Sequence, residues 1–145
     1  MRRLITTAVL GLTLGFSSYW LREKEKEMGK KTNVLDGKVF VGEFGKINQK
    51  AEGKDELVFQ DGKFRSTCCN PYGFGDSTYI ATADGDMITF EAETFSTSEG
   101  KIRWKGIIKN DSLEGTFTWH RLGKWYRISK APVEYWVKGQ LKAGS

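Results

Sequence analysis

The side chains that most often carry catalysis or bind metals are scarce in this sequence. It contains one histidine, His120, and two cysteines, Cys68 and Cys69, which are adjacent in the chain. A structural zinc site takes about four Cys or His ligands at characteristic spacings, and a hydrolytic triad needs a nucleophile, a His and an acid. Glu91 and Glu93 lie two residues apart, a spacing that is common on the solvent face of a strand. We therefore expect no metal, no cofactor and no catalytic residue, so that the protein is not an enzyme.

The adjacent cysteines Cys68 and Cys69 end a predicted strand and precede Asn70-Pro71. Neighbouring residues in a strand point to opposite faces, so we expect Cys68 to point inward and Cys69 outward. A disulfide between neighbours requires a distorted peptide and is easily reduced. Two free thiols, a strained vicinal disulfide and an intermolecular bridge are all compatible with the sequence.

The first thirty residues differ in composition from the rest of the chain. A positive head at residues 1–3 is followed by an uncharged stretch at 4–21 and a charged run at 22–31. This order is typical of a secretory signal peptide, and the uncharged stretch also reaches the lower limit for a membrane-spanning helix. We interpret residues 1–21 as a signal peptide or membrane anchor and 22–36 as a charged linker. In either case we expect export of the remainder, which would be periplasmic or anchored in the inner membrane facing the periplasm.

From residue 38 onward, apolar and polar residues alternate in short runs that turn residues separate. A period of two is the pattern of a half-buried β-strand, and no helical period is present. The barrel domain is assigned to residues 37–142. Its eight predicted strands are residues 38–44, 56–60, 63–68, 77–83, 86–95, 101–109, 112–120 and 133–141.

Three connections have the length and composition of tight hairpin turns. They are Asp61-Gly62, Asp84-Gly85 and Asn110-Asp111. The resulting register pairs Phe59 with Phe64, Ala81 with Ile88, Tyr79 with Phe90, and Trp104 with Phe117. With a loop at 96–100 that pairs Ala92 with Trp104, the four hairpins predict one common inner face. That face consists of Leu57, Phe59, Phe64, Tyr79, Ala81, Ile88, Phe90, Ala92, Ile102, Trp104, Ile108, Leu113, Phe117 and Trp119.

Eight antiparallel strands in chain order, with one polar face, predict an all-β, closed up-and-down barrel. A two-sheet sandwich is the structural alternative. The alternation places the tight turns at one end and the loops 45–55, 69–76, 96–100 and 121–132 at the other. The end with the long loops would be the mouth of the barrel, and a barrel of eight strands can hold one small ligand.

Two stretches of the chain share features with a known group of proteins. They are Gly37-Lys38-Val39-Phe40-Val41-Gly42 at the first strand and the hairpin from Trp104 to Trp119. On these residues the region 38–141 resembles the small exported lipocalin-like (calycin-type) barrels of bacteria. The resemblance implies a cavity for a small, often apolar ligand and implies no catalytic residues.

Aromatic residues on the inner face and in the long loops are the candidate ligand-binding side chains. Alternatively, the inner rings fill a dry core. Gly106 and Gly115 face each other on the inner face, and they either leave space beside the rings or mark bends of the wall. The candidates are Tyr79, Phe90, Trp104, Phe117 and Trp119 inside, with Tyr72, Trp125 and Arg127 from the loops.

The predicted mouth is basic, and Arg121, Lys124 and Arg127 are among its cations. We expect a non-catalytic envelope protein that binds or carries a small hydrophobic or amphiphilic ligand, with an acidic head group held by these residues. The alternative is a solid-core structural or interaction module that docks a protein partner or a membrane surface. Membrane association would also come from the N-terminal segment. Nucleic acid is not an expected partner, because Glu91 and Glu93 on the outer face would repel phosphates.

Overall fold

The computed structural model of the protein describes residues 29–123 and 131–145. The predicted signal peptide or anchor at 1–21 lies outside these residues, as do residues 22–28 of the charged linker. In the two described ranges, no helix is long and apolar enough to cross a bilayer.

The unit from Lys31 to Ser145 is built almost entirely from β-strands, and a six-residue 3₁₀ helix, Thr67–Tyr72, joins two of them. A two-residue strand, β1 (Lys30–Lys31), precedes the barrel strands. These are β2 (Val39–Lys46), β3 (Gly53–Gln60), β4 (Lys63–Ser66), β5 (Ser77–Asp84), β6 (Met87–Ser96), β7 (Gly100–Lys109), β8 (Ser112–Arg121) and β9 (Val133–Leu141).

The eight strands β2 to β9 close into an antiparallel barrel. Each pairs with its neighbour in the chain, and β2 also pairs with β9, from Phe40 opposite Leu141 to Lys46 opposite Tyr135. Closure pairs the backbone groups that the edges of an open sheet would expose. The predicted up-and-down barrel is therefore confirmed, and the two-sheet sandwich is excluded.

Three of the four predicted hairpin registers are confirmed. Phe59 pairs with Phe64, Ala92 with Trp104, and Trp104 with Phe117. The positive φ of Asp61, Gly62, Asn110 and Asp111 is the conformation that two-residue hairpin turns require.

The register predicted at Asp84-Gly85 is wrong. Asp84 still belongs to β5 and pairs with Met87, so the turn residues are Gly85 and Asp86. Gly85 has a φ of +62°, and glycine with positive φ at the first turn position is typical of a type II′ turn. Moving the turn by one residue changes each partner by two, and Ala81 therefore pairs with Phe90 rather than Ile88. The faces are unchanged because the side-chain period is also two.

The predicted inner face is the core of the barrel. All fourteen of its residues are either buried or packed against the buried cluster. The core also includes Phe40, Phe74, Tyr135 and Val137, which the four hairpins did not cover.

Aromatic rings form a continuous column along the barrel interior. Tyr135 stacks on Phe117 with ring centres 4.7 Å apart, and Phe117 stacks on Trp104 at 4.3 Å. Trp104 contacts Phe64 at 5.0 Å, and Phe64 contacts Phe59 at 5.3 Å. Contacts of this kind are favourable beyond the area they bury. Most of the interior is therefore filled by aromatic side chains.

The two facing glycines of β7 and β8 do not leave an empty space. A Cβ atom on Gly106 would lie 2.4 Å from Cε1 of Phe90, so that ring occupies the volume beside the glycine. A Cβ atom on Gly115 would lie 2.3 Å from the carbonyl oxygen of Lys105. The pair lets Phe90 and the neighbouring backbone approach closely, which is a common use of glycine in strands.

The chain before β2 covers the end of the barrel that carries the two-residue turns, which we call the closed end. Leu35, assigned to the linker from sequence, is completely buried in the core. The carboxylate of Asp36 accepts hydrogen bonds from the Gly62 amide at 3.0 Å and from the Tyr79 hydroxyl. These contacts attach the segment to the turn between β3 and β4 and to β5.

Candidate functional site

The opposite end of the barrel, the mouth, carries the connections β2–β3, β4–β5, β6–β7 and β8–β9, as predicted. A cavity of about 240 Å³ lies there, above the aromatic column. Its lining residues are mostly apolar and come from strands as well as from the β4–β5 connection. They are Phe44, Glu52, Asp55, Cys68, Cys69, Tyr72, Phe74, Ile102, Phe117, Trp119 and Tyr135.

The 3₁₀ helix Thr67–Tyr72 and the residues after it form one wall of the cavity. The hydroxyl of Ser96, on β6, donates to the carbonyl oxygen of Tyr72 at 2.7 Å and fixes the end of the helix. Gly73 follows with a φ of +85°, a conformation that favours glycine and turns the chain back. Phe74 is then buried against the core, with 4% of its surface exposed. The wall is thus attached to the barrel at both of its ends.

Asp55 is the buried ionisable group of the site. Only 6% of its surface is exposed. Its carboxylate accepts hydrogen bonds from the Ser66 hydroxyl and from the backbone amide of Cys68, the latter at 2.9 Å. Burial raises the pKa of Asp55 above its ordinary value, and the two hydrogen bonds partly offset the rise. The residue also fixes the start of the 3₁₀ helix.

The sequence-based prediction missed Asp55, because it placed this residue in a loop. The strand β3 begins at Gly53, two residues before Asp55 and three before the predicted start. Asp55 shares its parity with Leu57 and Phe59, so extending the alternation backward by two residues would have placed it on the inner face.

The predicted strand and the predicted outward orientation of Cys69 are wrong, whereas Cys68 lines the mouth cavity. The two cysteines lie in the 3₁₀ helix rather than in a strand, and Cys69 packs against the core instead of pointing outward. Both thiols are free. Burial raises the pKa of Cys69 to about 12 and also raises the pKa of Cys68. Because the thiolate is the reactive form, the raised pKa makes both thiols less reactive than an exposed cysteine.

The structure separates the predicted ligand-binding residues into groups. Phe117, Trp119 and Tyr72 line the cavity. Phe90 and Trp104 lie deeper in the column and are completely buried. Tyr79 lies at the closed end, where its hydroxyl bonds to Asp36. The last two, Trp125 and Arg127, lie outside the described residues.

Trp119 and Arg121 mark the rim of the mouth. The Trp119 indole donates to the carbonyl oxygen of Glu99 at 2.9 Å, which fixes the ring against the β6–β7 connection. The guanidinium of Arg121 lies 5.7 Å from the centre of the Trp119 ring, a distance typical of a cation–π contact. The sequence predicts that Lys124 and Arg127 join Arg121 in holding an acidic head group. Lys124, like Arg127, lies outside the described residues.

Three other concavities are larger, with volumes of about 440, 550 and 580 Å³. They lie on the outer wall or at the rim and are open to solvent, so much of that volume is bulk water. The mouth cavity is smaller, and core strands and the 3₁₀ helix form its walls. No group of three or more His, Cys, Asp and Glu side chains suited to a metal ion occurs among the residues described.

The chain matches no protein-family model, no curated protein and no solved structure. What can be concluded about function therefore comes from the barrel and its cavity.

Proposed function

We propose that this protein is a lipocalin-like, non-catalytic barrel that binds or carries a small hydrophobic or amphiphilic molecule in the mouth cavity. The observation that carries the proposal is a cavity with aromatic and aliphatic walls at the loop end of a closed eight-stranded barrel. Barrels of eight strands have room for one small ligand near one end, and ligand sites combine apolar walls with a few polar groups.

The size of the cavity limits the size of the ligand. Its volume of about 240 Å³ is below the roughly 300–1,000 Å³ of pockets that hold drug-sized molecules. A body of one ring or a short chain would fit, whereas a long fatty acid would not, because the aromatic column fills the barrel below Phe117 and Tyr135.

The polar groups of the cavity support binding rather than catalysis. The thiols of Cys68 and Cys69 are held in their protonated form by burial. The carboxylate of Asp55 is engaged by the Ser66 hydroxyl and the Cys68 amide. We also propose that the barrel acts in the cell envelope, on the basis of the composition of residues 1–21.

A solid-core structural or interaction module is the second candidate. It is favoured by the packing of the aromatic column, in which Trp104, Phe64 and Phe59 are completely buried. The two candidates differ in whether a small apolar molecule enters the mouth cavity.

A fluorine NMR titration with 4-fluorotoluene tests the proposal. We expect a saturable change of the fluorine signal with the wild-type protein. The Phe44→Trp variant places extra atoms in the cavity and should weaken this binding at least about tenfold, whereas the matched variant Phe95→Trp changes an exposed residue outside it and should leave binding unchanged. A response that never saturates, or one that Phe44→Trp does not weaken, would favour the solid-core module.

A further inference from the structure

Among the residues that the structure describes, the charged side chains that line the mouth cavity are all acidic. They are Glu52 and Asp55, and none of the described lining residues is Lys, Arg or His. This differs from the rim, where Arg121 lies over Trp119. The polar end of the cavity therefore has the opposite charge to the one that the sequence predicted for the mouth.

Asp55 has no cationic partner in the described part of the chain. The ion pairs found there are Arg65–Asp76, Arg103–Glu93, Lys105–Glu91 and Lys142–Glu56. A carboxylate offers about four acceptor positions, and the Ser66 hydroxyl and Cys68 amide use two of them. Buried carboxylates are ordinarily paired with a cation or neutralised. A donor bound in the cavity could use the remaining positions.

The aromatic walls of the cavity favour the same kind of ligand. Tyr72, Phe117, Trp119 and Tyr135 all line it, and the faces of aromatic rings attract organic cations. Arg121 already makes such a contact with Trp119, although Arg121 is not a lining residue. An aromatic enclosure with a carboxylate at one side has the chemistry that recognises ammonium groups.

We propose that the ligand of the mouth cavity is a small organic ammonium ion, with a one-ring or short aliphatic body between the aromatic walls and a protonated amine at Asp55. This inference rests on the proposed function, whose ligand it assigns to a chemical class. It replaces the expected acidic head group with a basic one.

Three probes of the same body and different charge test the inference. They are 4-fluorophenethylamine, 2-(4-fluorophenyl)ethanol and 3-(4-fluorophenyl)propanoate, each titrated at neutral pH and followed by fluorine NMR. We expect the amine to bind at least about tenfold more tightly than the alcohol, because the ammonium group adds the attraction between opposite charges to the hydrogen bond that the hydroxyl also makes with the carboxylate. The propanoate should bind more weakly than the alcohol.

Asp55→Asn is the decisive variant. The amide keeps the shape of the side chain and an acceptor for the Cys68 amide, but it removes the charge. We expect it to abolish the preference for the amine, because it lowers the affinity for the amine far more than the affinity for the alcohol. Asp76→Asn is the matched control, because it removes an exposed carboxylate on the β4–β5 connection outside the cavity. Glu52→Gln is a second variant on an exposed residue, and it should lower the affinity for the amine by a smaller factor.

The outcomes separate the two proposals. Equal affinities for the three probes, or a preference for the propanoate, would overturn the ammonium assignment and leave the ligand-binding function intact. A preference for the amine that persists in Asp55→Asn would overturn it as well. If 4-fluorotoluene and all three probes fail to bind, the proposed function itself fails.

Discussion

The two ends of the barrel are made by the same strands but are closed in different ways. At the closed end, two-residue turns and the segment containing Leu35 fill the opening, and Asp36 satisfies the polar groups beside it. At the mouth, a 3₁₀ helix and longer connections leave a cavity beside Asp55. The closed end buries an apolar side chain, whereas the mouth buries an acid.

This difference indicates which end of the barrel is able to bind a ligand. A buried carboxylate without a cationic partner carries a cost that a solid core would avoid. At the closed end the Asp36 carboxylate lies at the surface, where water compensates for it. In the described part of the chain, the mouth therefore combines unfilled volume with a buried carboxylate that is hydrogen-bonded but not paired with a cation, and the closed end has neither.

The largest effect that we expect is a difference in stability between two alanine variants. Replacing a large side chain should cost much more in the aromatic column than beside the mouth cavity. Trp104 is completely buried, and its indole donates to the buried Thr94 hydroxyl at 3.1 Å. Trp104→Ala should lower the free energy of unfolding by about 3–5 kcal/mol. Phe44→Ala should cost clearly less, because Phe44 is half-buried beside existing empty space. Urea denaturation measures both, and equal losses would mean that the mouth is packed as tightly as the column.

A smaller effect on stability is expected from adding one methyl group, by a glycine-to-alanine substitution, in the aromatic column and at the mouth. Gly106→Ala would place a Cβ atom 2.4 Å from Phe90 and should cost about 1–3 kcal/mol through overpacking. Gly75→Ala, on the β4–β5 connection at the mouth, meets nothing within 4 Å and should be close to neutral. Thermal melting of the two variants checks this. A Gly106→Ala protein as stable as the parent would show that the Phe90 ring can shift to make room for the added methyl group.

The smallest expected effect is the pH dependence that Asp55 gives to stability. Because burial raises its pKa in the folded state above the ordinary 3.8, the folded state retains the proton to higher pH than the unfolded chain. The stability that Asp55 contributes is therefore complete below about pH 4 and is lost as pH rises through the folded-state pKa.

The difference in free energy of unfolding between wild type and Asp55→Asn isolates this contribution, because the other carboxylates are common to both proteins. We expect the difference to fall by on the order of 1 kcal/mol between pH 4 and neutrality. A difference that rises over this range would show that the hydrogen bonds from Ser66 and Cys68 outweigh burial.

The barrel could be predicted because strands carry a simple periodic signal. The alternation at residues such as Trp104 and Phe117 places them on one face whichever turn type joins the strands. The error at Asp84-Gly85 shows that turn residues alone do not always fix the register. Gly85 can occupy either central position of a two-residue turn, and only the pairing of β5 with β6 distinguishes the two positions.

The candidate site could be predicted only in part, because irregular backbone has no period to follow. The mouth and two of its aromatic walls, Phe117 and Trp119, followed from the register. The register did not predict the 3₁₀ helix. For this reason the sequence places Cys69 on the wrong face and Tyr72 in a loop. Asp55 lies near the start of a strand, where a charged residue is easily assigned to a loop, although its parity with Leu57 and Phe59 and its hydrogen bond with Ser66 both place it in the interior.

The floor of the mouth cavity consists of core residues, because Phe117 and Ile102 belong to the buried cluster as well as to the lining. Because the unfolded chain has no such floor, an occupant would bind only the folded barrel and raise its melting temperature, and the gain in the free energy of unfolding would grow with the logarithm of the ligand concentration. The protein is suited to a thermal-shift screen of amine libraries without any label, and the size of each shift would rank the affinities directly.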